Sequence, residues 1–90
     1  MVRLKRITLD VLKPHQPSIL ELATSLANVG PDNEIGIRVV EMDEKTETLE
    51  VIIEGTDIDF DRISSTIEQL GGSLHSVDEV VVSSAKPTRS

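Results

Sequence analysis

Three aspartates, Asp57, Asp59 and Asp61, alternate with Ile58 and Phe60, and Glu68 follows Asp57 by eleven positions. That spacing imitates the oxygen-ligand loop of a calcium-binding EF-hand. The imitation fails at the sixth position, where such a loop needs glycine and this chain has Arg62. Phe60, Ile63 and Ile67 also belong to a helical stripe, so a helix has already begun there. The simpler account is a cluster of carboxylates at a helix N-terminus, where the macrodipole favours negative charge. Topology keeps a reduced cation reading: the loops before the second helix and the second strand share one end of the sheet, which brings Asp32 and Glu34 near Asp57 and Asp59. Oxygen ligands alone suit calcium or magnesium rather than a transition metal, in a weak site that could lie between subunits.

Two histidines, His15 and His75, fall at the opposite end, near the acidic residues Asp43, Glu44 and Glu47. Histidines beside carboxylates can bind a ligand, hold a metal or move a proton. Nothing in the spacing requires any of these roles, and two surface histidines are commonplace in a chain of 90 residues. For nucleophilic catalysis there is no serine in a strand-turn-helix elbow, no Gly-rich phosphate loop and no Glu-x-x-His pair. Ser64, Ser65 and Thr66 fall inside a helix, and Gly71-Gly72 is a helix stop. The sequence therefore gives an enzyme reading no residue to stand on.

The elements that would position these groups follow from hydrophobic period. From Leu4 to Leu12, Ile7, Leu9 and Val11 alternate with Thr8 and Asp10, as in a strand with one buried face. Lys13-Pro14-His15-Gln16-Pro17 ends it, and Pro17 suits the first position of a helix. Between Ser18 and Asn28, Ile19, Leu22, Ala23, Leu26 and Ala27 recur at helical spacing. Gly30-Pro31-Asp32-Asn33 breaks the pattern. Ile35 to Asp43 and Glu47 to Gly55 each alternate and read as a hairpin, although the turn lacks an Asn-Gly or Asp-Gly pair. A second helix has Asp59 as N-cap, Ile58 and Ile63 as a hydrophobic staple, and Phe60, Ile63, Ile67 and Leu70 as its stripe. Gly71-Gly72 ends it through a left-handed residue. The last strand, Ser73 to Ser83, breaks its period near Asp78-Glu79, which predicts a bulge.

The order strand, helix, strand, strand, helix, strand is the split β-α-β duplication of an α+β, ferredoxin-like domain. Right-handed crossovers set the strand order at 4-1-3-2, with both helices on one face of an antiparallel sheet. Residues 1–84 form this single domain and residues 85–90 a flexible tail. The bare sheet face should carry the alternate residues, and these include Leu12, Val40, Met42 and Ile52 among Arg6, Asp10, Arg38, Glu50 and Glu54. An aliphatic patch of that kind predicts an interface with further copies of the chain.

Composition narrows the function classes. The 16 acidic residues against 9 basic ones give a net charge of −7, which repels nucleic-acid backbones and anionic lipid. An RNA-recognition sheet needs aromatic residues on its open face, and Phe60 is the single aromatic here. With no cysteine there is neither a disulfide nor the Cys-x-x-Cys pair of a metallochaperone. No apolar run approaches the roughly 20 residues that span a bilayer, so a cytoplasmic protein is expected.

Asp10-Val11-Leu12-Lys13-Pro14-His15, Gly55-Thr56-Asp57-Ile58-Asp59-Phe60-Asp61 and Ile67-Glu68-Gln69-Leu70-Gly71-Gly72, followed by His75-Ser76-Val77-Asp78-Glu79-Val80, carry a further signal. Together they make the chain resemble the short archaeal proteins of the domain-of-unknown-function family number two hundred and eleven, over nearly its full length. The resemblance implies a ferredoxin-like fold and ring-shaped homo-oligomers, with no catalytic residue to carry over. The expected function is a self-associating scaffold or ligand-sensing module, the alternative being a divalent-cation binder built on Asp57, Asp59 and Asp61.

Overall fold

The computed structural model describes residues 2–84, so the tail expected over residues 85–90 lies outside the described residues. Six elements follow in the expected order: β1 (Val2–Pro14), α1 (Ile19–Ala27), β2 (Glu34–Met42), β3 (Thr46–Glu54), α2 (Phe60–Gln69) and β4 (Ser73–Ser84). The strands form one antiparallel sheet in the order β2-β3-β1-β4, which is the ferredoxin-like arrangement. Its core is aliphatic: Ile7, Leu9 and Val11 from β1 meet Leu49, Val51 and Ile53 from β3, under Leu22 and Leu26 of α1 and Ile63 and Ile67 of α2. Burying these chains removes about 1.5–3 kcal/mol of unfavourable hydration apiece and dominates the stability of the domain.

Strand β1 runs beyond both of its expected ends and so includes Lys13, which is only 1% exposed. The helix that follows begins two residues later than proline chemistry suggests, at Ile19 rather than Pro17. Ser18 is its N-cap: the Ser18 hydroxyl accepts from the Glu21 N–H at 3.1 Å, and Glu21 Oε1 accepts from the Ser18 N–H at 3.4 Å. This capping box satisfies two N–H groups left over at a helix start, so Pro17 precedes the cap and does not occupy the first turn. The bond between Gln16 and Pro17 is cis.

At the hairpin, Asp43 replaces the missing glycine turn. Its Oδ1 accepts from the N–H groups of Lys45 at 3.2 Å and Thr46 at 3.4 Å, and the Asp43 N–H donates to Thr46 O at 2.9 Å. Helix α2 starts as expected, with Asp59 Oδ1 accepting from the Arg62 N–H at 3.2 Å and with Ile58 and Ile63 both buried. It ends in a Schellman motif: Gly71 sits at φ 87°, its N–H donates to Glu68 O, and the Gly72 N–H donates to Ile67 O.

Register shifts distinguish the outer strands from the inner pair, in which β1 and β3 match without interruption from Arg6↔Glu54 to Pro14↔Thr46. The bulge expected near Asp78 is present, between Thr8↔Glu79 and Leu9↔Val77. Two others along β4 are not legible from the pattern: Lys5 is the extra residue between Leu4↔Val82 and Arg6↔Val81, and His75 lies between Asp10↔Ser76 and Val11↔Leu74. A further shift in β2 sets Val40 and Glu41 against Thr48 and pairs Met42 with Glu47. Glu47 shares the helix-covered face with Lys13, so Met42 leaves the open face on which simple alternation placed it. Val40, Leu12 and Ile52 keep their expected side.

Candidate functional site

Two features concentrate polar chemistry and exposed apolar surface. The first is an ionic joint built where β1 runs into the β1–α1 loop. Lys13 continues the inward series Ile7, Leu9 and Val11, and its register partner Glu47 continues the inward series Ile53, Val51 and Leu49. An ammonium in this position must have every proton matched. Lys13 Nζ donates to the carbonyls of Pro14 at 2.7 Å, His15 at 3.4 Å and Pro17, which folds the loop around the side chain. Glu47 Oε1 lies 3.3 Å from the same nitrogen. With the three lysine protons directed at carbonyls, this oxygen is buried without a hydrogen bond and is held by charge alone.

The other carboxylate oxygen, Glu47 Oε2, is 3.1 Å from His15 Nδ1. His15 Nε2 is 3.0 Å from Asp43 O and 3.2 Å from Glu44 O, so the ring spans from β3 to the tip of the hairpin. Every contact partner of the ring is an acceptor. The hydrogen bond to Glu47 accordingly raises the His15 pKa above its ordinary value against a smaller desolvation effect, with help from the two carbonyls. Glu47 is lowered by the same bond to His15 and further by Lys13, against desolvation.

Sequence reasoning placed His15 and His75 together beside the acidic turn; the structure brings only His15 there. His75 lies in a bulge of β4, on the other side of β1 from Glu47. Glu47 was named only as part of the acidic turn and Lys13 not at all, although extending the period of two by one step along each strand would have placed both on the core face.

At the opposite end the loops expected to approach one another do so, because the Asn33 side chain lies against Gly55: a Cβ added there would stand 2.5 Å from Asn33 Oδ1. Asp32 adopts φ 66° in one loop, Glu34 opens β2, Asp57 is exposed in the other loop, Asp59 caps α2 and Asp61 lies in its first turn. Among the described residues, no three or more His, Asp or Glu side chains are grouped as ligands for one ion.

The second feature is apolar. Leu12 and Ile52 are half-buried on the open face, whereas Val40 is 58% and Met42 60% exposed. Ion pairs tile much of that face: Arg6 reaches Glu54 at 2.6 Å and Glu79 at 3.0 Å, Thr8 Oγ1 donates to Glu79 at 2.8 Å, and Arg38 reaches Glu50 at 2.8 Å. The bond from Thr8 and the Arg6 guanidinium hold the Glu79 carboxyl below its ordinary range. A depression of about 290 Å³ lies among Asp10, Arg38, Val40, Thr48, Glu50 and Asp78.

A more continuous apolar surface lies on β4, where every residue from His75 to Ser84 is exposed. Val77, Val80 and Val82 pair with Leu9, Ile7 and Leu4 and so share the side of the sheet that carries the core, while Val81 pairs with Arg6 on the other side. This surface was missed because a row of valines reads as a buried strand whether or not a helix reaches it.

Comparison with known proteins agrees with the resemblance drawn from the sequence. Residues 5–86 match the family model DUF211, described as "Uncharacterized ArCR". A protein of Methanocaldococcus jannaschii, named "Uncharacterized protein MJ0319", is 47% identical over 78 residues, which cover 87% of this chain and 80% of that protein. No described helix is long and apolar enough to cross a membrane. With nearly the whole fold inside the match and an archaeal relative at that identity, the chain belongs to the DUF211 family of uncharacterized proteins.

Proposed function

We propose that the chain is a self-associating scaffold, in which β4 of one copy meets β2 of the next. The observation that carries this reading is the uncovered row Val77, Val80 and Val82 on an outer strand of the sheet. Valines aligned with core residues lose hydration cost only when something covers them, and exposed strand edges offer unpaired N–H and C=O groups. Strands β2 and β4 run antiparallel to one another, so laying the second edge beside the first continues the antiparallel alternation of the sheet. Val40 and Met42 then lie at the receiving edge. An interface joining two different surfaces repeats from copy to copy and closes as a ring when the rotation allows.

Sedimentation velocity at micromolar concentration tests the reading. The unmodified chain should sediment as an assembly, and Val80→Lys with Val82→Lys should sediment as a monomer that keeps its far-ultraviolet circular dichroism. A monomeric unmodified chain refutes it. A thermal-shift screen with and without chelator separates the cation alternative: stabilisation by calcium or magnesium alone would move the role to Asp57, Asp59 and Asp61.

A further inference from the structure

The joint at His15 does something that neither strand edges nor exposed valines require. We propose that His15 is a pH-sensitive clamp: its imidazolium ties Glu47 of β3 and the β1–α1 loop to the Asp43–Thr46 turn, and loss of one proton releases that turn. The proposal does not rest on self-association.

The geometry admits only one protonation state without conflict. Carbonyl oxygens accept and never donate, so Asp43 O and Glu44 O require a proton on Nε2. The ionised Glu47 carboxylate likewise requires one on Nδ1. A neutral ring carries a single proton and must turn a lone pair on either the carboxylate or the two carbonyls. Of the charged groups around the ring, Glu47 contacts it directly, Lys13 meets Glu47 from β1, and Asp43, Glu44 and Lys45 stand in the turn. Asp43 spends its carboxylate on the turn itself, through the N–H groups of Lys45 and Thr46 and the Thr46 hydroxyl. Released by His15, the turn is left to these bonds alone, so its amides open more often. On the other side, Lys13 still grips the carbonyls of Pro14, His15 and Pro17, so the change stays at the hairpin tip.

The direction of the pH effect follows from linkage. His15 is raised in the folded state, so its contribution is fully present below the ordinary histidine value of 6.5 and is lost as pH rises through the folded value. Glu47 is lowered, so its contribution is present above the ordinary value of 4.5 and is lost as pH falls through its folded value. The clamp is closed between the two and opens on the alkaline side.

Histidine proton resonances of the full chain, followed from pH 5 to 9 with His75→Gln used for assignment, give the His15 midpoint directly. Amide hydrogen exchange at Glu44, Lys45 and Thr46, corrected for the intrinsic pH dependence, gives the opening of the turn. The expected midpoint lies above 6.5, and opening rises about tenfold for each unit of that excess. In His15→Gln the corrected exchange becomes independent of pH, and in Glu47→Gln the His15 midpoint falls. A His15 midpoint at or below 6.5 overturns the proposal, as does unchanged turn protection across the titration.

Discussion

Burying an ammonium among aliphatic side chains costs several kcal/mol unless its protons and charge are matched, and Lys13 meets both demands with three loop carbonyls and Glu47. Lys13→Met keeps the stem and removes the charge, leaving Glu47 as a buried carboxylate held only by His15. Urea unfolding at pH 7 should show a loss of about 3–5 kcal/mol, because breaking a buried pair strands its partner. Lys13→Met combined with Glu47→Leu should recover most of that loss, and a single variant within about 0.5 kcal/mol of the parent would contradict this account. Acid unfolding probes the same pair from the other side: stability falls as pH drops below 4.5 through the lowered Glu47 value, and Glu47→Gln should flatten that limb. The pair was legible in principle, since Lys13 and Glu47 each stand two residues from a core position. Its closure by Pro14, His15 and Pro17 was not, because that depends on the path of a loop whose residues carry no hydrophobic period.

Among the elements, those with chemically marked ends were the most legible. Asp59, Ile58 and Gly71 declared both ends of α2, and the structure uses each for the expected reason. The start of α1 was declared too, by Ser18 and Glu21 at capping-box spacing, but the proline before it drew the reading two residues away. Ser18→Ala should therefore lower stability by about 1 kcal/mol in thermal unfolding. Gly71→Ala forces a Cβ into the left-handed region and should cost about 1–2 kcal/mol. Gly72→Ala meets a different obstacle, a Cβ 2.9 Å from Ile67 Cγ2 and 3.2 Å from Ile67 O, so the end of α2 should fray in hydrogen exchange. Bulges were the least legible elements. Only the one at Asp78 disturbs an apolar alternation strongly enough to be read; those at Lys5, His75 and Val40–Glu41 fall on polar or already irregular positions.

Across the whole molecule, the assembly expected from the sequence was argued from an apolar patch, and the structure distributes exposed apolar side chains differently from that expectation. Val40 and Ile52 do lie on the open face, yet salt-linked Arg6, Glu54, Glu79, Arg38 and Glu50 cover much of it, and the larger apolar row belongs to β4. Exposed pairs of this type add little stability and weaken with salt, so added salt should leave the assembly intact if the valines hold it. Dissociation between 50 mM and 500 mM salt in sedimentation would point to the charged face instead. The overall extents of 54 × 22 × 17 Å reflect the long β1 and β4 ribbon, which carries this row away from the helices.

Three interruptions within one strand pair have a consequence for safety as well as for shape. A run such as Val80-Val81-Val82 on a flat, regular edge is the pattern that templates cross-β stacking of identical segments. All three coil the ribbon, and the two that insert a residue into β4, at Asp78 and His75, throw the spacing of its outward N–H and C=O groups out of step with a regular strand. Only a neighbour with a matching irregularity can zip along its length, so growth into fibres is discouraged while a finite, selective mate is still accepted.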